Sequence, residues 1–205
     1  MTARHLEILV EELSMEAFLG ALLPRVLGSD HTFAVHPFQG KPDLLGKLEA
    51  RLRGYAAWLP DDWRIVVLVD RDDDDCRALK KHLEWAAAAA GLRTRSRSGA
   101  RSWHLVNRIA IEELEAWYFG DWEAVVGAYP GVPVSVPKRK GLRDPDAIAG
   151  GTWEALERIM RKHGYFKTGL RKLEVAQAVG ARIEPERCRS RSFLRFHEAL
   201  AEATV

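Results

Sequence analysis

Arg64-Ile65-Val66-Val67-Leu68-Val69 runs directly into Asp70-Arg71-Asp72-Asp73-Asp74-Asp75. The first half is a nearly continuous apolar run, the pattern of a strand buried on both faces, as in a parallel sheet covered by helices. The second half is an acidic turn at that strand's carboxyl end. If the strand lies at the centre of a sheet, these carboxylates lie at the edge where such sheets bind ligands.

The flanking sequence supplies the rest of the sheet. Leu6-Glu7-Ile8-Leu9-Val10 reads as a strand. Ser14 then stands as a helix cap before the amphipathic run Met15 to Leu23, which Pro24 ends or kinks. Thr32 to Phe38 reads as a second strand. After Gly40-Lys41-Pro42-Asp43, the spacing of Leu44, Leu45, Leu48, Leu52 and Tyr55 predicts a helix. Downstream, Cys76 to Ala90 is strongly helical with Gly91 in a C-cap position, and His104 to Ile111 gives a fourth strand. The alternation predicts an α/β fold with a doubly wound, mostly parallel sheet, helices on both faces and right-handed crossovers.

From Glu112 the pattern changes. Glu112 to Phe119 is helical, and Tyr129-Pro130-Gly131-Val132-Pro133 and Val136-Pro137 then break the chain into loop. Residues 144–203 read as short helices, around 152–163, 170–180 and 190–202, separated by Gly164, Gly169 and Pro185. The division expected is an α/β core over 1–120 and a C-terminal helical appendage over 121–205, packed on the core as one folding unit.

Composition bounds the function classes. With 205 residues, 47% of them hydrophobic and 29% charged, the chain can bury one full core. No apolar run approaches the roughly 20 residues needed to cross a bilayer, and no signal-peptide stretch precedes the first strand pattern. Cys76 and Cys188 have no CxxC or Cys/His spacing, so neither a disulfide framework nor a zinc site is indicated. An unprocessed chain in a reducing cytoplasm is expected. The net charge of +2 is too mild to mark a polyanion binder, but acids concentrate at 70–75 and bases at 93–101 and 187–195.

In an open α/β sheet, loops converge outside the carboxyl ends of the strands. Glu11 ends the first strand and Asp70 the buried one, so carboxylates from both meet if the strands are neighbours. Crowded like charges are costly unless they protonate or a cation neutralises them. Oxygen-only ligands select Mg²⁺, Mn²⁺ or Ca²⁺ over zinc. Alternation in Asp70-Arg71-Asp72 turns both carboxylates the same way if strand geometry persists, whereas Asp73, Asp74 and Asp75 suit the first turn of the next helix.

These residues resemble the TOPRIM domain, shared by topoisomerases, bacterial primases and the overcoming-lysogenization-defect nucleases. Glu11 matches its first-strand glutamate, Ser14 and Glu16 the following positions, and Asp70 and Asp72 its paired aspartates; Glu12 stands where the pattern usually has glycine. A closer resemblance covers nearly the whole chain. Ile111 to Asp121, Pro137-Lys138, Tyr165-Phe166-Lys167 and Ser192-Phe193 are similar to a bacterial domain-of-unknown-function family grouped with TOPRIM-like proteins.

The resemblance implies a Mg²⁺- or Mn²⁺-dependent nuclease using two metals. Glu11, Asp70 and Asp72 would form the first site and Glu115, with Glu112 one helical turn earlier on the same face, the second. The catalytic cation would come from Lys138, Lys140 or Lys167. Arg93, Arg95, Arg97 and Arg101, with Trp103 beside them, are candidates to contact phosphates and stack a base; a charged edge strand protected against aggregation explains them equally well. Trp117, Tyr118, Trp122 and Trp153 are spaced as packing aromatics.

Two other readings remain open: a receiver- or phosphatase-like domain with Asp70 as phosphoryl acceptor, and a non-catalytic TOPRIM-like sensor or scaffold. Related families accompany a separate ATPase in bacterial defence systems, and the chain has no GxxxxGK loop of its own. A partner ATPase is therefore expected in that setting. DNA and RNA are both open as substrates, and monomer and homodimer both as assemblies.

Overall fold

The computed structural model describes residues 2–99 and 103–204. Four strands, β1 (His5–Val10), β2 (Thr32–Pro37), β3 (Trp63–Asp70) and β4 (Leu105–Ala110), form one all-parallel sheet in the order β2-β1-β3-β4. Between them run α1 (Leu13–Val26), α2 (Lys41–Ala56), α3 (Cys76–Ala89) and a single helical turn, α4 (Arg95–Ser98). This is the parallel, doubly covered sheet that the sequence predicts.

Its two faces follow from the two-residue period of the strands. Leu6, Ile8 and Val10 of β1 and Val66 and Leu68 of β3 pack with Phe18 and Leu19 of α1. Leu9, Ile65, Val67 and Val69 face the other way, against Leu44, Leu48 and Leu52 of α2 and Leu79 and Leu83 of α3. Every one of these strand side chains is fully buried, at roughly 1.5–3 kcal/mol for each large aliphatic group. The strand most completely apolar in sequence is thus an interior one, flanked by β1 and β4.

Past β4, the chain forms α5 (Leu114–Gly120), α6 (Trp122–Ala128), α7 (Thr152–Lys162), α8 (Lys172–Gly180) and α9 (Arg191–Ala203). Trp117 of α5, Val125 of α6, Val175 of α8 and Phe193 of α9 belong to the same core as α1. α8 lies against α1 so closely that a Cβ on Gly180 would stand 2.5 Å from the Phe18 carbonyl oxygen. Asp146 fixes the start of α9, accepting from the Arg191 N–H at 2.7 Å and the Ser190 hydroxyl at 2.7 Å.

Several local expectations are corrected. Ser14 is not the cap of α1: the helix begins at Leu13, and the Ser14 hydroxyl bonds to the Glu12 carboxylate. Pro24 lies inside the last turn, and the helix continues to Val26. Of the three following aspartates only Asp75 caps α3, accepting from the Ala78 N–H at 2.7 Å. Residues 93–97 form no edge strand: Thr94 makes an isolated bridge to Leu105 and the chain coils into α4.

Candidate functional site

β1 and β3 are neighbours, but the chain leaves β1 toward β2 and β3 toward β4, so the loops after them part in opposite directions. The crevice opened at such a switch point is where open α/β sheets bind ligands. Register pairs Val10 with Leu68, which sets Glu11 beside the carboxyl end of β3. The Asp70 N–H donates to Glu11 Oε2 at 3.4 Å. Glu11 is 7% exposed, Asp70 4%, and Glu115, entering from α5, 2%. Asp70 Oδ1 is enclosed and accepts no hydrogen bond.

Backbone bonds tie the surrounding loops together. Gly40 N–H donates to Glu11 O at 2.7 Å, Arg71 N–H to Ala110 O at 2.8 Å, and Asp72 N–H to Glu112 O at 2.8 Å. Asp72 and Glu112 hold left-handed backbone conformations, with φ of 48° and 62°. Each such residue costs on the order of 1–3 kcal/mol and persists only where the surroundings enforce it, a feature that clusters at functional sites. Here the enforcement is their mutual hydrogen bond and the ion pair of Arg71 with the Glu112 carboxylate.

Burial dominates the electrostatics. Desolvation, with the nearby Asp72 charge, pushes Glu11 up to about 7, and desolvation likewise pushes Glu115 up to about 7. Asp70 is raised by burial and by the Glu11 and Glu115 charges. Two lysines answer them. Lys41 Nζ donates to Asp72 at 2.7 Å, Asp74 at 2.8 Å and Arg71 O at 3.0 Å. Burial disfavours its charge, but the aspartates outweigh that and raise its pKa. Lys172 of α8 is raised in the same way, chiefly by Glu115 and Glu12 against its own desolvation, and lies 5.3 Å from the centre of the Trp153 ring. A cleft of about 550 Å³ opens beside this centre, lined by Glu12, Ser14, Phe38, Gly40 and Lys172 among others.

The structure thus brings together Glu11, Asp70 and Glu115. Asp72 does not follow Asp70 in strand geometry: β3 stops at Asp70, and Asp72, in its left-handed turn, points its half-exposed carboxylate at Lys41. Glu112 does not share a helix face with Glu115, because α5 starts only at Leu114. Among the described residues, no three His, Cys, Asp or Glu side chains stand close enough to enclose a metal ion.

Lys138, Lys140 and Lys167 are exposed on the loops before α7 and α8. The lysines acting on the carboxylates are Lys41 and Lys172, which the sequence reading missed. Lys41 carried a signal, since it opens the helix after the strand beside β1; Lys172 carried none. Arg93, Arg95 and Arg97 lie by the start of β4, whose length puts them about 17 Å from the carboxylate end. Arg95 is held in a two-point ion pair by Glu202, at 2.6 and 2.9 Å. Arg101 lies outside the described residues. Trp103 is no stacking platform: it is 2% exposed and packs under the Arg64 guanidinium.

Fold and site together define a parallel α/β protein with a buried carboxylate cluster at its topological switch point. The chain belongs to the family described as a domain of unknown function (DUF4276), whose pattern matches residues 10–201. No curated protein and no solved structure matches it. None of the helices among the described residues is long and apolar enough to cross a membrane.

Proposed function

We propose that this protein is a metal-dependent phosphodiester hydrolase acting on nucleic acid, with a TOPRIM-like centre at Glu11 and Asp70. The observation that carries the reading is Asp70 Oδ1, a buried carboxylate oxygen without a donor beside a second buried carboxylate. Such an oxygen is costly, and a hard divalent cation relieves it. Mg²⁺ or Mn²⁺ fits this donor set, because Mg²⁺ takes one or two carboxylates and completes its shell with water and substrate phosphate rather than an all-protein cage. When bound, such a cation stabilises charge on a phosphoryl oxygen and makes water a stronger nucleophile.

The protein's own groups then divide the work. Glu11 and Asp70 would hold the cation, and Asp72 would join them on release from Lys41. Glu115 would supply a second carboxylate from the α5 side, with Glu112 tied to Arg71 at its rim. Lys41 and Lys172 would neutralise the substrate phosphate. The second reading, a non-catalytic subunit working with an ATPase, is favoured by the lack of three converging ligand side chains among the described residues.

Calorimetric titration with Mn²⁺ of wild type, Asp70→Asn and Glu11→Gln, followed by cleavage assays on DNA and RNA, separates the two readings. Binding lost in both variants, with Mn²⁺-dependent cleavage by wild type, supports the hydrolase. A folded wild type that takes no Mn²⁺, with or without nucleic acid, sinks it in favour of the scaffold.

A further inference from the structure

Three depressions with shared lining residues run from the outer edge of the sheet, between β2 and α2, to the starts of α1 and α8. The first, about 310 Å³, is walled by Arg51, Tyr55 and Trp58 over a floor of Glu7 and His36. The second, about 450 Å³, shares His36 and Arg51 with the first and adds Lys47. It shares Pro37 and Phe38 with the third, the 550 Å³ cleft bounded by Glu12, Gly40 and Lys172. From Glu7 to Glu11 is four positions along the chain, roughly 13 Å along β1, and the track ends at Glu12, next to Glu11 in the chain, and at Gly40, whose N–H donates to Glu11 O.

Its lining has the chemistry of a strand-binding surface. Lys47 and Arg51, one helical turn apart on α2, are exposed, and Lys172 stands at the inner end. Asp43, paired with Lys47, is partly exposed beside them. Trp58 is 54% exposed, unusual for so large an apolar ring. The acid in the floor is not bare: Glu7, 6% exposed, accepts from Tyr55 Oη at 2.7 Å, pairs with His5 Nε2 at 3.1 Å and bonds to His36. Cations spaced along a groove with an exposed aromatic ring are what sequence-tolerant single-strand binders use, the cations for phosphates and the ring for a base face that a duplex would hide.

We infer that this track carries a single strand of nucleic acid to the carboxylates, an assignment that rests on the hydrolase reading above. It places the substrate along α2 rather than on the arginine turn at the opposite end of the sheet, where Arg95 is already committed to Glu202.

The test is fluorescence anisotropy of labelled oligothymidylate and oligouridylate in EDTA, with wild type, Lys47→Glu/Arg51→Glu, Trp58→Ala and Arg97→Glu. The substituted side chains are exposed, so the variants should fold, which thermal melting checks. The double variant and Trp58→Ala should each weaken binding about tenfold or more, and Arg97→Glu by less than about twofold. Removing two phosphate contacts should also flatten the log–log salt dependence by about 1.4. Wild-type affinity in the track variants, a dominant loss in Arg97→Glu, or binding of polyglutamate but not of oligonucleotide would overturn the track. If Mn²⁺ still binds while oligonucleotide does not, the track alone fails. If oligonucleotide binds through the track but Mn²⁺ does not, the hydrolase reading fails and the strand-binding surface stands.

Discussion

The Asp70 N–H donates to the Glu11 carboxylate across the β1–β3 junction at 3.4 Å, while Asp70's own Oδ1 receives nothing. One long hydrogen bond is little support for two buried acids, so this junction stores electrostatic repulsion that a cation would discharge. Without metal, Asp70→Asn and Glu11→Gln should each raise stability at pH 8, by about 1–3 kcal/mol, since each removes a buried charge. Urea unfolding checks this. Destabilised variants would mean that the two carboxylates already support one another in the metal-free protein.

A second prediction concerns pH. Glu11 and Glu115 are raised from 4.5 to about 7, so the folded protein holds protons there that the unfolded chain has released. Their protonation favours the fold fully below pH 4.5, and that advantage is lost as pH rises to about 7. Metal-free protein should therefore lose stability from pH 4.5 to 7, and Glu115→Gln should flatten the loss. Saturating Mn²⁺ should reverse it, because the metal competes with the protons. Thermal melts across that range, with EDTA or Mn²⁺, report all three.

Glu84 has the opposite sign. Despite burial, its carboxylate is drawn down to about 2 by the Ser96 and Thr94 hydroxyls at 2.6 Å each, the Asn107 amide at 2.9 Å and Lys80. Its contribution is present above pH 4.5 and lost as pH falls toward 2. Glu84→Gln should cost about 2 kcal/mol at pH 7 and nearly nothing at pH 2. Hydrogen exchange in residues 94–98 should rise, since the carboxylate ties that turn to α3.

Gly180→Ala tests the packing that positions Lys172. The added methyl would meet the Phe18 backbone, at 2.5 Å from O and 3.2 Å from Cα, so α8 must shift off α1. A loss of about 2–4 kcal/mol is expected by urea unfolding, with weaker Mn²⁺ or oligonucleotide binding in the protein that remains folded. Gly127→Ala, whose methyl would meet only the flexible Arg182 side chain at 3.5 Å, should cost far less.

The sequence by itself determined the sheet and its first carboxylates. An uninterrupted apolar run needs cover on both faces, and hydrophobic spacing is set by neighbours in the chain, so β3, its acidic end and the order of strands and helices are local properties. The short helices after residue 150 were legible for the same reason. Tertiary structure decided what the acids do. Strand order β2-β1-β3-β4 put Glu11 beside Asp70, and a left-handed turn swung Asp72 toward Lys41. The packing of α8 on α1 delivered Lys172, and Glu202 claimed Arg95. Each of these joins residues far apart in the chain through burial and charge, which no local pattern encodes.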